Sequence, residues 1–253
     1  MVDPPIHNIY NYLAQVVRRE LKLGLQKENH LMLSSDVFNR TKLIGPELSL
    51  PTYSTLIGIV LSWGFLINWI IVQYVDSSFV FENTPSFIFC LLYFASCFYG
   101  VYLFNKSTDP AISFIGYNFV VIPFGLVVDI VIGAYAPGTV MQAIQTTAIM
   151  TFIMMALGSL VPQFFRGIYA LISLSLLSVV IAELILMFFF GQQVGVIDWI
   201  VALIFCGYIG YDWGRALAIP RTVDNAIDSA AAIYMDIINL FLRILRILGS
   251  SKR

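Results

Sequence analysis

Long apolar runs alternate with short polar connections along most of the chain after residue 51. A transmembrane helix needs about 20 predominantly apolar residues, and seven runs come close to that length or exceed it. The predicted spans are Ser54–Val75, Ser86–Phe104, Ile112–Tyr135, Thr139–Val161, Gly167–Phe190, Val194–Tyr211 and Ala226–Leu248. Because the connections are short, neighbouring spans are expected to be antiparallel. The pattern predicts an all-α polytopic membrane protein, with a seven-helix transmembrane domain over residues 52–253.

The segment of residues 1–51 has a different pattern, with no long apolar run. Apolar side chains recur there at three- and four-residue steps, beside several basic residues, which is typical of a short amphipathic helix on an anionic membrane surface. The alternative is a partly unstructured tail. In both cases we expect residues 1–51 to form a cytoplasmic N-terminal segment that offers a contact surface for protein partners.

Composition narrows the class of protein. Hydrophobic residues make up 59% of the chain and charged residues 11%, whereas soluble domains carry about 25% charged residues. The net charge is -1, which leaves no cationic surplus for a generic nucleic-acid binder. We expect no enzyme and no cofactor, because the sequence has no Gly-x-Ser-x-Gly elbow, no metal-ligand pattern and no histidine within a span.

Basic residues predict the orientation. Residues 1–51 contain six Lys and Arg side chains, and the connections on the same side of the predicted bundle contain Lys106, Arg166, Arg215 and Arg221. Since cytoplasmic loops carry the excess of Lys and Arg, the N-terminus is predicted to be cytoplasmic. The membrane would be the cell membrane in a microbe or an internal membrane in a eukaryotic cell.

The last span conflicts with this charge rule. A seventh crossing would put Arg243, Arg246, Lys252 and Arg253 on the opposite side. The charges favour a re-entrant helix that returns to the cytoplasm, whereas the length of Ala226–Leu248 favours a full crossing. We predict seven crossings.

Acidic residues in apolar spans are the main candidates for function, because an acid at the centre of a membrane helix costs about 2.5–3.5 kcal/mol. Asp212 ends the sixth predicted span and Asp236 lies about ten residues into the seventh. We expect their helices to pack together and the two carboxyls to approach each other and share one proton. When ionised, the pair could attract a hard cation such as Ca²⁺. Alternatively, Asp212 is an ordinary helix-end acid and Asp236 bonds a nearby hydroxyl or amide.

Other polar residues in the spans are weaker candidates for a functional role. Glu183 is expected to line the same cavity or to pair with Lys106 or Arg166. Asn239 shares a helix face with Asp236, and Asp129 lies near the external end of its span. The remaining candidates, Arg243 and Arg246, either extend to the membrane interface or contact a lipid headgroup or a gate.

The C-terminal third carries a family resemblance. Tyr211-Asp212 is followed by the stretch Ala232-Ile-Tyr-Met-Asp236-Ile-Ile-Asn239-Leu-Phe-Leu-Arg-Ile-Leu-Arg-Ile-Leu-Gly249. This resembles the transmembrane Bax inhibitor motif family, in particular its bacterial pH-sensitive calcium-leak members. The resemblance implies seven helices with the C-terminal helix central and closing the pore. It also implies that Asp212 and Asp236 share a proton and sense pH.

Two departures from the family pattern are visible. Bacterial relatives have an arginine near the end of the second span that latches onto the aspartates, whereas Lys106 is the nearby cation here. Relatives also often carry an acid in the second span, and Ser86–Phe104 has none. A lysine lacks the bidentate fork of an arginine, so any latch would differ.

Three hypotheses for function follow. The first is a pH-dependent Ca²⁺ leak channel, with the bilayer, Ca²⁺ and protons as its partners. The second is a non-conducting membrane regulator that binds stress or cell-death proteins through residues 1–51. The third is a proton-coupled transporter that uses Glu183 as an added relay.

Overall fold

The computed structural model describes residues 45–186 and 195–250, except for the side chains of Ser78 and Ser86. All the regular structure in these residues is helical. The helices are α1 Leu50–Tyr74, α2 Ser77–Glu82, α3 Ser86–Lys106, α4 Pro110–Ile132, α5 Pro137–Leu160, α6 Pro162–Ile185, α7 Gly195–Ala216 and α8 Val223–Ser250. The predicted amphipathic helix, the predicted span ends Phe190 and Val194, and the basic residues Lys252 and Arg253 lie outside the described residues.

Six of these helices, α1 and α3 to α7, are long and apolar enough to cross a membrane. The chain is therefore an integral, multi-pass membrane protein. Helix α8 differs, because its 28 residues include five charged side chains. It is also the most enclosed part of the bundle: 18 of its residues are buried.

Local sequence signals explain where the helices begin. Ser49 caps α1 by accepting from the backbone of Thr52, and proline occupies the first turn of α4, α5 and α6, where it removes no helical hydrogen bond. Two of the stretches between predicted spans, which we expected to be short connections, are partly helical in the structure. Asp76 caps the short helix α2, and only Val161 separates α5 from α6.

The helices run between two ends of the bundle. The first end is where α1, α4, α6 and α8 begin, and the second end is where they finish. At the first end, the Tyr53 hydroxyl of α1 donates to the Asn225 carbonyl of α8 at 3.3 Å. At the second end, Gly249 of α8 fits against Tyr135, where an added Cβ would lie 2.1 Å from the ring. Helix α8 thus runs from one end to the other and packs against α1, α4, α5 and α7.

A close backbone approach positions α7. A Cβ atom added to Gly158 of α5 would lie 2.3 Å from the carbonyl oxygen of Gly210 in α7. The same contact extends to Gly214, where an added Cβ would lie 2.9 Å from the Gly158 carbonyl oxygen. Small residues at a helix interface let backbones approach closely in membranes, and here they bring α7 against α5.

Candidate functional site

The carboxyls of Asp212 and Asp236 meet at the interface between α7 and α8. Both residues are buried, and their side chains lie within interaction range of each other. Because an ionised carboxylate only accepts hydrogen bonds, two such groups can form a hydrogen bond with each other only when one of them carries a proton. The second oxygen of Asp236, Oδ2, has no hydrogen-bond partner among the described residues. The two carboxyls thus face each other at the interface between two helices.

The surroundings of the pair come mainly from α6 and α7. Tyr208 lies within electrostatic range of both aspartates, and its hydroxyl donates to Ser173 Oγ at 3.0 Å. Next to it, Tyr169 stacks on Tyr211 with 4.2 Å between ring centroids. Aromatic rings therefore line this part of the α6–α7 interface.

Helix α7 continues past Asp212 to Ala216, so the expectation that Asp212 ends its span is wrong. The extra turn carries Arg215, whose guanidinium carbon lies 5.4 Å from the centroid of the Tyr211 ring. Lys106, the predicted latch, is exposed in the last turn of α3. The structure thus places Lys106 on the outside of the bundle, whereas the aspartates are buried inside it.

A second group of charges, which we call the second-end cluster, consists of Glu183, Asp198, Arg243 and Arg246. The two terminal nitrogens of Arg243 donate to the two carboxylate oxygens of Glu183, the second at 2.8 Å. Arg243 also donates to Asp198 at 2.9 Å, and Arg246 lies 3.2 Å from the same Asp198 oxygen. Three helices, α6, α7 and α8, are joined by these contacts.

The second-end cluster corrects two expectations. Glu183 pairs with Arg243 rather than with Lys106 or Arg166, because those two cations are at the first end of the bundle. Arg243 lies seven residues beyond Asp236, or about 10 Å along the helix, so Glu183 is about two helical turns from the aspartate pair. The two arginines bind acids of neighbouring helices, and the Arg243 side chain is only 15% exposed.

Sequence reasoning missed three buried acids. Asp198 is in the first turn of α7, inside the predicted span Val194–Tyr211. Asp224 and Asp228 belong to the first turns of α8, which begins at Val223, three residues before the predicted span. Their four-residue spacing was the available signal, since it places both on one helical face.

Asp224 and Asp228 belong to a first-end polar network. Ser113 of α4 donates to Asp224 Oδ1 at 2.7 Å, and Tyr53 of α1 lies 3.4 Å from Ser229 Oγ. Asp228 is fully buried and lies within electrostatic range of Tyr53. These contacts attach the start of α8 to α1 and α4.

Two further candidates have local partners. Asp129 Oδ2 accepts a hydrogen bond from the Ser77 backbone at 3.4 Å, at the first residue of α2. Asn239 donates to the Met235 carbonyl of its own helix at 2.8 Å. Both contacts are structural ones.

The fit to calcium is limited. Within residues 45–186 and 195–250, no group of three or more His, Cys, Asp or Glu side chains could hold a metal ion. Ca²⁺ takes six to eight oxygen ligands, so Asp212 and Asp236 would supply only part of a coordination shell.

Comparison with known proteins places the chain among membrane proteins. The family model described as "Inhibitor of apoptosis-promoting Bax1" matches residues 48–253, which include every described helix. An uncharacterized membrane protein of Streptococcus pyogenes is 33% identical over 132 residues, or 49% of this chain and 58% of that protein. In Arabidopsis thaliana, a BI1-like protein is 46% identical over 76 residues, or 29% of each chain, and the protein LIFEGUARD 3 is 44% identical over 54 residues, or 21% of each.

The chain thus spans 58% or less of the length of these relatives. The family match nevertheless extends over α1 to α8, and includes both the aspartate pair and the second-end cluster. The resemblance identified from Asp212 and the Asp236 stretch is confirmed. The chain belongs to the Bax inhibitor family.

Proposed function

We propose that the protein is a pH-dependent Ca²⁺ leak channel, gated by protonation of the Asp212–Asp236 pair. The observation that carries the proposal is the buried carboxyl–carboxyl contact between α7 and α8. In the protonated state this contact holds the two helices together and the path is closed. Ca²⁺ is the transported ion, and no resident cofactor takes part.

The physical basis is that the interaction between the Asp212 and Asp236 side chains changes from attraction to repulsion when the shared proton leaves. Two carboxylates in place of a hydrogen-bonded pair repel each other, by about 4 kcal/mol for unit charges 4 Å apart at an effective dielectric constant of 20. Each 1.4 kcal/mol changes a two-state equilibrium about tenfold. Loss of one proton would therefore shift the equilibrium between packed and separated α7 and α8 by about a thousandfold toward separation. Flux is expected to rise as pH rises.

The proposal includes a topology with seven crossings and α8 at the centre of the bundle. It is supported by the course of α8 from the first end to the second and by its contacts with four helices. Lys106, Arg166, Arg215 and Arg221 all belong to the first end, so the positive-inside rule makes that end cytoplasmic. The N-terminal segment would then also be cytoplasmic.

The test is Ca²⁺ flux into liposomes that contain the purified full-length protein, measured at mildly acidic and mildly alkaline pH. We expect faster flux at alkaline pH in the wild type. The variant D212N/D236N keeps the shape of both side chains but removes their titration, so its flux should be independent of pH. A matched control is E82Q, which neutralises an exposed acid of α2 and should leave the pH dependence as it is.

Two results would overturn the proposal. One is a pH dependence that survives in D212N/D236N. The other is absence of flux at both pH values, which would favour the non-conducting regulator with residues 1–51 as its contact segment.

A further inference from the structure

The positions of Arg243 and Arg246 oppose the charge rule that orients the rest of the bundle. Four basic residues, Lys106, Arg166, Arg215 and Arg221, belong to the first end. Arg243 and Arg246 belong to the second end, because α8 reaches it with its last turns against Tyr135. The positive-inside rule alone would draw the end of α8 back to the cytoplasmic side.

The second-end cluster balances these two positive charges. Glu183 is held by both terminal nitrogens of Arg243, and Asp198 accepts from Arg243 and lies 3.2 Å from Arg246. Two arginines therefore meet two carboxylates, and the cluster has no net charge. Its most enclosed members are Asp198 and Arg243, with side chains 10% and 15% exposed.

The acids come from helices that precede α8 in the chain. Glu183 lies in the last turn of α6 and Asp198 in the first turn of α7, so both belong to helices that are synthesised before α8. The N-terminal part of a chain is available first during synthesis. When α8 arrives, the carboxylates are already available at the second end as partners for its arginines.

We propose that Glu183 and Asp198 fix the crossing of α8, by supplying the counter-charges that hold Arg243 and Arg246 at the second end. Without these acids, the two arginines would have no partners there, and α8 would return to the first side as a re-entrant helix. This inference rests on the seven-crossing topology under Proposed function, but it does not depend on Ca²⁺ conduction.

The experiment locates the C-terminus of the full-length chain in a bacterial inner membrane. Fusions to alkaline phosphatase, which is active only outside the cytoplasm, and to green fluorescent protein, which fluoresces only inside it, report the two sides. Four chains are compared: the wild type, E183Q/D198N, R243Q/R246Q, and the variant that combines all four changes. Lys252 and Arg253 stay in every chain, so differences report on the cluster alone.

In the wild type we expect the C-terminus outside the cytoplasm. In E183Q/D198N the fraction of external C-termini should fall by about threefold or more, because unpaired arginines then act as cytoplasmic signals. In the combined variant the arginines are gone as well, so the external location should return. R243Q/R246Q should resemble the wild type.

Several results would overturn the inference. An external C-terminus at the wild-type fraction in E183Q/D198N would show that the acids do not fix the crossing. A cytoplasmic C-terminus in the wild type would contradict both this inference and the seven-crossing topology. If E183Q/D198N is degraded, recovery of an external C-terminus in the combined variant supports the inference, and degradation of both contradicts it. Absence of Ca²⁺ flux together with the expected topologies would refute the leak channel alone.

Discussion

Removal of the Arg243 side chain should destabilise the protein through the second-end cluster. The substitution R243A deletes two hydrogen bonds to Glu183 and one to Asp198. All three side chains are less than one-third exposed. The contacts of Arg243 with Glu183 and Asp198 are therefore closer to buried ion pairs than to surface ones. Loss of one partner of a buried ion pair costs about 3–5 kcal/mol, against about 0–1 kcal/mol at the surface.

The contacts that remain in the cluster make the expected cost of R243A smaller than the upper end of this range. Arg246 stays 3.2 Å from Asp198, so only Glu183 loses its hydrogen-bond partner, and Glu183 is 30% exposed. We therefore expect R243A to lower the free energy of unfolding by about 2–3 kcal/mol. The variant E183Q should lose less, about 1–1.5 kcal/mol, because Arg243 keeps its bond to Asp198.

The measurement is reversible unfolding of the purified protein in mixed micelles, followed by circular dichroism. The double variant R243A/E183Q completes a double-mutant cycle, and we expect a coupling energy of at least about 1 kcal/mol. Arg166, exposed on α6, provides the control, since R166A should change stability by no more than about 0.5 kcal/mol. Additivity of R243A and E183Q within about 0.5 kcal/mol would refute the pairing.

Three further predictions use the same assay. Gly158→Ala should destabilise by about 1–3 kcal/mol, because the new methyl group would meet the Gly210 carbonyl oxygen at 2.3 Å, whereas Gly58→Ala, with nothing within 4 Å, should not destabilise. Tyr234→Phe should cost about 1–3 kcal/mol, because buried Asn68 loses the 2.8 Å bond to the Tyr234 hydroxyl, and Tyr102→Phe on the exposed surface should be neutral. Ser113→Ala should cost about 1 kcal/mol by removing the 2.7 Å bond to Asp224; an unchanged stability would contradict the role of this bond at the first end.

The sequence was a good guide to the helices and to one contact between them. Apolar run length is a local property, so the spans could be located from the chain alone. The boundaries were less predictable: α1 begins at Leu50 after the Ser49 cap, and the Asp76 cap begins an additional short helix, α2. The proximity of Asp212 and Asp236 could be predicted because one short connection joins their helices and makes the two helices neighbours.

The second-end cluster could not be predicted in the same way. Glu183 and Arg243 are 60 residues apart, and Asp198 and Arg243 are 45 apart. Which acid meets which arginine depends on how α6, α7 and α8 pack, and on the rotation of each helix about its axis. The apolar pattern of a membrane helix that is hydrophobic on nearly all sides does not encode that rotation.

Under the proposed gating, the second-end cluster would let α8 act as a lever. From Arg243 to Asp236 is about 10 Å along the helix, and from Arg243 to Val223 is about 30 Å. If α8 stays rigid and the cluster acts as its fulcrum, each ångström of displacement at Asp236 becomes about three at the start of the helix. The bonds of Asp224 to Ser113 and of Asn225 to Tyr53 lie at that far tip. Under the proposed gating, these bonds would be stretched most when the aspartates repel, and the stiffness of the first-end polar network would set the force that the aspartate pair has to overcome.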